Sequence, residues 1–377
     1  MKKKVIFITT SWGKGGTGPE IYARYLWEAF RDDPEIEFHL VATGSGSTHP
    51  RLHLIEPPSG SLALYKAVAE KGLGLARSLG PSGILHVNSS NLHTCLLKSP
   101  WPVWGQINDY ENTTVFSQAF KIIKTYGIRR WLALIRRWWL ERQFVNYQQL
   151  TLCNSQFTKQ NILAAYKPSH LERLKVLYKA VDTSQFEKPA VLPPNPHNTP
   201  DSRPVVLFIG SDFKRKGLDD LIRALDLIKY PLHLSIAGVT REQFVTELPE
   251  LAVTLNNLNH TIQFHGQTSR EITKALFWHA SLFCLPSRSE ALGVSILEAL
   301  SAGLPCVATK VGGIPEIAQQ LGGCILVFPD NSRELASAIN KVLTSPKPNL
   351  RATIKNSSFT VVAMISALKK LYLNESA

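Results

Sequence analysis

The sequence predicts two parallel α/β domains, and three observations carry that prediction. At 377 residues the chain exceeds one ordinary core and suits two domains of roughly 150–200 residues. Short apolar runs alternate with helical patterns along most of its length, as in a parallel sheet covered by helices. Between the halves, Glu187–Pro204 holds prolines at 189, 193, 194, 196, 200 and 204, a density that prevents regular structure and marks a linker. The expected division is a first domain over 1–188, a linker over 189–204, a second domain over 205–350 and a helical segment over 351–377. In it, Phe359–Leu373 reads as a helix and Asn374–Ala377 as a frayed end.

The elements follow in order. In the first half, strands are expected near Val5–Thr9, Phe38–Ala42, Ile84–Val87, Val103–Ile107 and Leu150–Cys153, with helices near Glu20–Arg31 and Ala63–Ala76. In the second, strands are expected at Val205–Ile209, Leu232–Ala237, Ile262–Phe264, Leu282–Leu285, Cys306–Thr309 and Ile325–Phe328. Helices at Gly217–Ile228, Arg270–His279, Leu292–Ser301 and Ser332–Leu343 separate most of these. Two such domains around a hinge leave a cleft, and ligands of open α/β sheets bind at the carboxyl ends of the strands.

Composition narrows the function classes. Hydrophobic residues make up 44% and charged residues 19%, an ordinary globular balance. Five scattered cysteines, with no CxxC, read as buried thiols in a reducing compartment. Met1–Lys4 has the charge of a signal peptide, but the apolar run Val5–Ile8 is too short for its hydrophobic region. No stretch approaches the ~20 apolar residues that cross a bilayer. The expectation is a cytoplasmic protein, peripheral at most on the inner face of a membrane. A net charge of +13 favours anionic partners without choosing among them. The basic residues are dispersed and no nucleic-acid module is recognised, which argues against a nucleic-acid partner.

A glycine-rich turn follows the first strand. Gly13-Lys14-Gly15-Gly16-Thr17-Gly18 satisfies GxGxxG literally. A dinucleotide site also needs a carboxylate at the end of the second strand, where Ala42-Thr43-Gly44-Ser45-Gly46 has none. A tight turn without a ligand is the bland reading. The functional one is that Gly15 and Gly16 let the backbone approach a phosphate while the helix from Glu20 presents free amides.

Three segments of the second half are more specific. Val205–Ile209 leads into Gly210-Ser211-Asp212-Phe213-Lys214-Arg215-Lys216-Gly217, where cations and amides at a helix start make an anion site. A solvated basic loop is its plain alternative. Leu285–Gly293 then precedes a helix carrying Glu298, eight residues after Glu290. Each carboxylate can accept two hydrogen bonds from vicinal hydroxyls of a ribose or hexose. Otherwise Glu298 is a surface residue and Glu290 a cap. Gly293, beside Leu292, keeps side chains away from a diphosphate. Lastly, Gly303–Thr309 and Gly312–Glu316 form a strand ending in a glycine turn.

The run PSRSEALGVSILEALSAGLPCVATKVGGIPE, residues 286–316, resembles the donor-site signature of retaining GT-B glycosyltransferases of family four. Its Glu-x7-Glu pair matches Glu290 and Glu298. RKG at Arg215–Gly217 and FHGQTSREI at Phe264–Ile272 match two further family segments, so the resemblance spans 204–345. It implies a GT-B fold, two Rossmann-like domains facing each other across a cleft, with the last helix crossing back to the first. It implies that Glu298 binds the ribose, with Leu292, Gly293, Gly210 and Ser211 also at the donor. Glu290 meets the donor sugar, Arg215 and Lys216 hold the diphosphate, and Gly15 and Gly16 face it from the first domain. The partners implied are a nucleotide-sugar donor and a glycan or lipid-linked acceptor, without cofactor or metal.

Three departures stand out. Ser211 replaces the family's usual arginine, as in the GSDFxRKG variant of lipopolysaccharide-core glucosyltransferases. Gly105–Asp109 (GQIND) carries Asn108 where many members have a histidine before the aspartate, here Asp109. Asparagine can bond a hydroxyl but cannot carry a proton, so either the donor geometry differs or His86 takes part from a neighbouring strand. Val176–Phe186 (VLYKAVDTSQF) has Lys179-Ala180 where the family has Asn-Gly. An epimerase of the same fold, or a non-enzymatic basic nucleic-acid-binding protein, are the alternatives.

Between Lys121 and Arg142 the chain reads as one basic amphipathic helix. Arg129, Arg130, Arg136 and Arg137 recur seven apart, and Trp131, Leu134, Ile135 and Trp138 lie largely on another face. Such a helix anchors on an anionic membrane surface, or else buries its tryptophans in an ordinary core.

Overall fold

The computed structural model describes residues 2–10, 12–13, 18–46, 49–96, 98–108, 111–117, 119–199, 202–251, 255, 259–346 and 350–374. Gly15, Gly16 and Asp109 lie outside them. The chain divides into two compact units, the first of Met1–Tyr178 with Met364–Ala377 and the second of Lys179–Ala363.

Seven strands build the first unit: β1 (Lys3–Ile8), β2 (Ile36–Thr43), β3 (Leu52–Ile55), β4 (Ile84–Val87), β5 (Val103–Ile107), β6 (Leu150–Cys153) and β7 (Leu174–Val176). They lie in the order β3-β2-β1-β4-β5-β6-β7, and every pairing is parallel. Val5, Ile6, Phe7 and Ile8 are all fully buried. Helices cover both faces of such a sheet, so its strands read as apolar runs rather than as alternation. Gly105 in β5 has a packing reason, because a Cβ there would fall 2.3 Å from the ring of Phe144.

The expected basic helix is two helices, Ala119–Tyr126 and Ile128–Tyr147. Gly127, at φ 82°, takes a left-handed conformation that ends one and starts the other. The last helix, Val361–Leu373, spans the boundary between units. Within the first unit its Tyr372 hydroxyl meets His86 Nδ1 at 2.6 Å, and Lys369 pairs with Asp33 and Glu35, each at 2.8 Å.

Six strands build the second unit: β8 (Val205–Ile209), β9 (His233–Ala237), β10 (Thr261–Phe264), β11 (Leu282–Leu285), β12 (Cys306–Thr309) and β13 (Cys324–Val327). Their order is β10-β9-β8-β11-β12-β13, again all parallel. The order reverses at β8, where one connection runs to β9 and a later one to β11. That reversal opens a crevice at the carboxyl ends of the two strands.

The proline-rich segment is not a linker. The boundary falls at Tyr178 and Lys179, and the prolines lie within the second unit. Pro193 and Pro196 carbonyls accept from His279 Nε2 at 2.9 Å and Gln263 Nε2 at 3.1 Å. His197 is fully buried, with Nδ1 2.9 Å from Ser235 Oγ and Nε2 3.0 Å from the Leu276 carbonyl. The carbonyl fixes the proton on Nε2, so Nδ1 accepts from the serine. Proline forbids helix and ladder but leaves carbonyls free, and here neighbouring side chains take them.

Burial, with His233 and His265 nearby, pushes His197 down to about 4. A neutral buried histidine contributes stability that is full above its ordinary range near ~6.5 and lost as pH falls toward 4. Linkage over that interval is worth about 3 kcal/mol. Urea midpoints measured at pH 7 and pH 4.5 should therefore show an acid loss that is smaller in His197→Asn.

Candidate functional site

The loop after β8 turns on glycine. A Cβ on Gly210 would sit 2.2 Å from Lys216 Cδ, so the missing side chain lets the lysine stem cross the strand end. Gly217, at φ 72°, caps the helix Leu218–Asp226 and lies against the loop after β11, where a Cβ would fall 2.0 Å from the Pro286 carbonyl oxygen. Arg288 locks the two loops together. Its amide donates to the Arg215 carbonyl at 2.8 Å, and its guanidinium pairs with Asp219 at 2.7 and 2.9 Å and with Asp330 at 2.7 Å.

On this frame two cations converge on one carboxylate. Glu290 Oε1 lies 3.2 Å from Lys216 Nζ and 3.5 Å from Arg215 Nη1, and accepts the Ser287 hydroxyl at 3.1 Å. Arg215 is aimed by Asp212 at 2.8 Å and by the Ser289 carbonyl at 2.6 Å. The Ser287 carbonyl in turn accepts the Thr309 hydroxyl at the end of β12. Gly312 and Gly313 pack on the same loop. A Cβ at Gly312 would fall 1.5 Å from the Glu290 carbonyl oxygen, and one at Gly313 2.7 Å from that of Ala291. Ser211 is exposed at the mouth of the β8 loop, and Leu292 is buried beneath the β11 loop.

Glu298 stands in the second turn of Val294–Ser301, a helix that Gly293 opens at φ 97°. The carboxylate is half-buried and pairs with Arg270 Nη1 at 3.3 Å. Arg270 is itself held by Gln185 Oε1 at 3.1 Å and lies 5.2 Å above the Phe186 ring. Desolvation raises the Glu298 pKa, while Arg270 and the nearby charge of Lys216 oppose it. One unit thus holds Gly210, Ser211, Arg215, Lys216, Glu290, Leu292, Gly293 and Glu298 on adjoining loops and helix starts. This is a site of fixed positive charge flanked by two carboxylates, suited to a diphosphate with hydroxyls on either side.

Sequence reasoning missed three members of this group: Arg270, Gln185 and Ser287. Arg270 lies in the FHGQTSREI run and Gln185 in VLYKAVDTSQF, so each motif was visible while its partner, 28 or 85 residues away, was not.

The first unit gathers asparagines. Asn88, Asn108 and Asn154 directly follow β4, β5 and β6, three adjacent strands. Asn108 Nδ2 donates to Asn88 Oδ1 at 2.8 Å, and Asn154 Nδ2 donates to the Asn108 carbonyl at 2.7 Å. Asn108 Oδ1 and Asn88 Nδ2 are buried without a hydrogen-bond partner among the described residues. They leave one acceptor and one donor at the carboxyl ends of the strands.

His86 does not serve as a ligand residue. Its ring is fully buried, 5.1 Å edge-on from Phe7, with Nδ1 on Tyr372, and burial pushes it down to about 3. A strand residue of the sheet centre points into the helix layer, and here that layer is the last helix. In the helix Gly18–Phe30, Glu20 is buried and accepts the Gly13 amide at 3.1 Å. The same carboxylate pairs with Arg24 at 3.3 Å.

Residues 194–359 match the family described as Glycosyl transferases group 1. The lipopolysaccharide glucosyltransferase WaaG of Escherichia coli is 32% identical over 142 residues, 37% of this chain and 37% of that protein. The chain spans about half or less of the length of the curated relatives it matches. Solved structures match throughout. A sucrose-phosphate synthase from Thermosynechococcus elongatus superposes with a TM-score of 0.74 at 18% identity, covering 99% of both chains. HepE of Anabaena, solved with UDP-glucose, gives 0.71 at 19%, covering 98% of this chain and 99% of that one. At such identities the likeness establishes the fold, the two Rossmann-like parallel units of GT-B glycosyltransferases. On that fold, residues 194–359 are the part of the chain that matches the glycosyl transferases group 1 family.

Proposed function

We propose that the chain is a retaining glycosyltransferase that moves a hexose-type sugar from a UDP- or GDP-sugar to a glycan or lipid-linked acceptor, in the cytoplasm, for cell-envelope or exopolysaccharide synthesis. The observation that carries this reading is the convergence of Arg215 and Lys216 on Glu290 at the carboxyl ends of β8 and β11. The matched domain and the UDP-glucose bound by HepE support it.

Arg215 and Lys216 hold the diphosphate. Glu298 accepts the two ribose hydroxyls, and Glu290 accepts a hydroxyl of the donor sugar through the oxygen that its cations leave open. The leaving phosphate takes the acceptor's proton on the same face that the acceptor attacks, so the anomeric configuration is kept. Catalysis is then electrostatic: preorganised cations stabilise charge that develops on the leaving group. The cations present make a required metal unnecessary in this scheme.

Slow donor hydrolysis tests the scheme without a known acceptor. With EDTA present, NMR should show release of the nucleoside diphosphate at an undiminished rate and the α anomer of the sugar forming first. Initial β anomer would contradict retention, and abolition by EDTA would contradict metal independence. An altered sugar still bound to its nucleotide would favour an epimerase.

A further inference from the structure

The first unit exposes large apolar side chains that its own core leaves uncovered. Phe116, Phe120, Ile128, Leu132 and Trp139 are 52, 82, 50, 54 and 52% exposed. At 3.6 residues per turn, Ile128, Leu132 and Trp139 fall within about 40° of one another on their helix. The opposite side of that helix makes its packing contacts. Leu134 and Val145 are buried there, and Trp138 meets Phe116 at 5.0 Å and Tyr166 at 5.7 Å. Trp131 is also engaged, donating to the Val115 carbonyl at 3.2 Å. The tryptophans that stood out in the sequence are thus packed, and a different stripe faces outward.

Charge along this stretch of the chain has one sign. Between Val115 and Leu140 the chain has six basic residues, Lys121, Lys124, Arg129, Arg130, Arg136 and Arg137, and no Asp or Glu. Arg129 and Arg136, seven apart, run along one edge of the stripe, and both are exposed. The next acid, Glu141, is buried and accepts the Tyr166 hydroxyl at 2.7 Å. No helix among the described residues is long and apolar enough to cross a membrane.

We propose that this stripe docks the protein on an anionic lipid bilayer. A helix of 20 residues lying flat places Ile128, Leu132 and Trp139 among the acyl-chain ends and its arginines among headgroup phosphates. Tryptophan favours that boundary because one edge of its ring is apolar and the other donates a hydrogen bond. A protein partner would have to supply a matched acid for each arginine it covers, whereas an anionic leaflet supplies a field of them. The proposal stands independently of the transfer reaction.

Cosedimentation of the full chain with vesicles tests it. Binding to phosphatidylcholine mixed with phosphatidylglycerol should be at least about 10-fold stronger than to phosphatidylcholine alone, and should weaken as salt rises. The double variant Leu132→Asp with Trp139→Asp should lose about 10-fold or more of that binding, with an unchanged urea midpoint because both positions are exposed. Arg129→Gln with Arg136→Gln should reduce binding to anionic vesicles and leave any binding to neutral ones. Equal binding to both vesicles, none to either, or full binding by the variants would overturn the proposal. So would a dimer in light scattering that the aspartate variant converts to a monomer, since the stripe would then serve a second copy of the chain.

Discussion

Lys216→Ala is expected to lower kcat about 10²–10³-fold, equivalent to about 2.7–4 kcal/mol of transition-state stabilisation. The ammonium lies 3.2 Å from Glu290 Oε1, on a stem that crosses the strand end where Gly210 has no side chain. Charge on the leaving phosphate is larger in the transition state than in the bound donor, so a fixed cation acts mainly on kcat. KM should change far less. The fold should tolerate the variant, because the lysine is half-buried and Glu290 keeps Arg215 and Ser287. Lys216→Arg should recover part of the rate, limited by the close passage over Gly210. A rise in KM with kcat unchanged would place Lys216 in ground-state binding alone.

Much of the second unit was legible because its central strands are buried on both faces and read as unbroken apolar runs. Val205–Ile209, Leu282–Leu285 and Cys306–Thr309 match the observed strands to the residue. The edge strand Leu52–Ile55 was not read, being half-buried and four residues long, with Pro50 and Pro57 two residues beyond either end. Leu174–Val176, of three residues, carries too little pattern to separate from a loop. The proline-rich segment misled because composition reports the absence of helix and strand, not whether the chain packs. His197 makes the difference, and its partners Ser235 and Leu276 lie 38 and 79 residues away.

The site divided in the same way. Arg215, Lys216, Glu290 and Glu298 stood out because they occur in compact motifs next to glycines. Their close packing explains those glycines, with a Cβ at Gly210, Gly217 or Gly312 excluded by Lys216, Pro286 or Glu290. The pairing of Glu298 with Arg270 depends on how two helices pack, which no local spacing records. His86 failed for the opposite reason. A histidine beside a candidate motif looks chemical, and only the last helix, bringing Tyr372 onto it, makes it structural.

Calorimetric titration of UDP, GDP and ADP, each with a common sugar conjugate, into the wild type and Glu298→Ala tests the donor assignment most directly. Two hydroxyls bonded to one carboxylate are charge-assisted interactions worth about 1.5–3 kcal/mol each before compensation. One nucleotide class should bind the wild type without added metal, and Glu298→Ala should lose about 10²-fold or more in affinity. Arg270 remains anchored by Gln185 and Phe186 in that variant, and Glu298→Gln keeps the side-chain shape as a second check. Binding of none of the three to the wild type, or binding by Glu298→Ala equal to that of the wild type, would contradict the assignment of this site to a nucleotide-sugar donor.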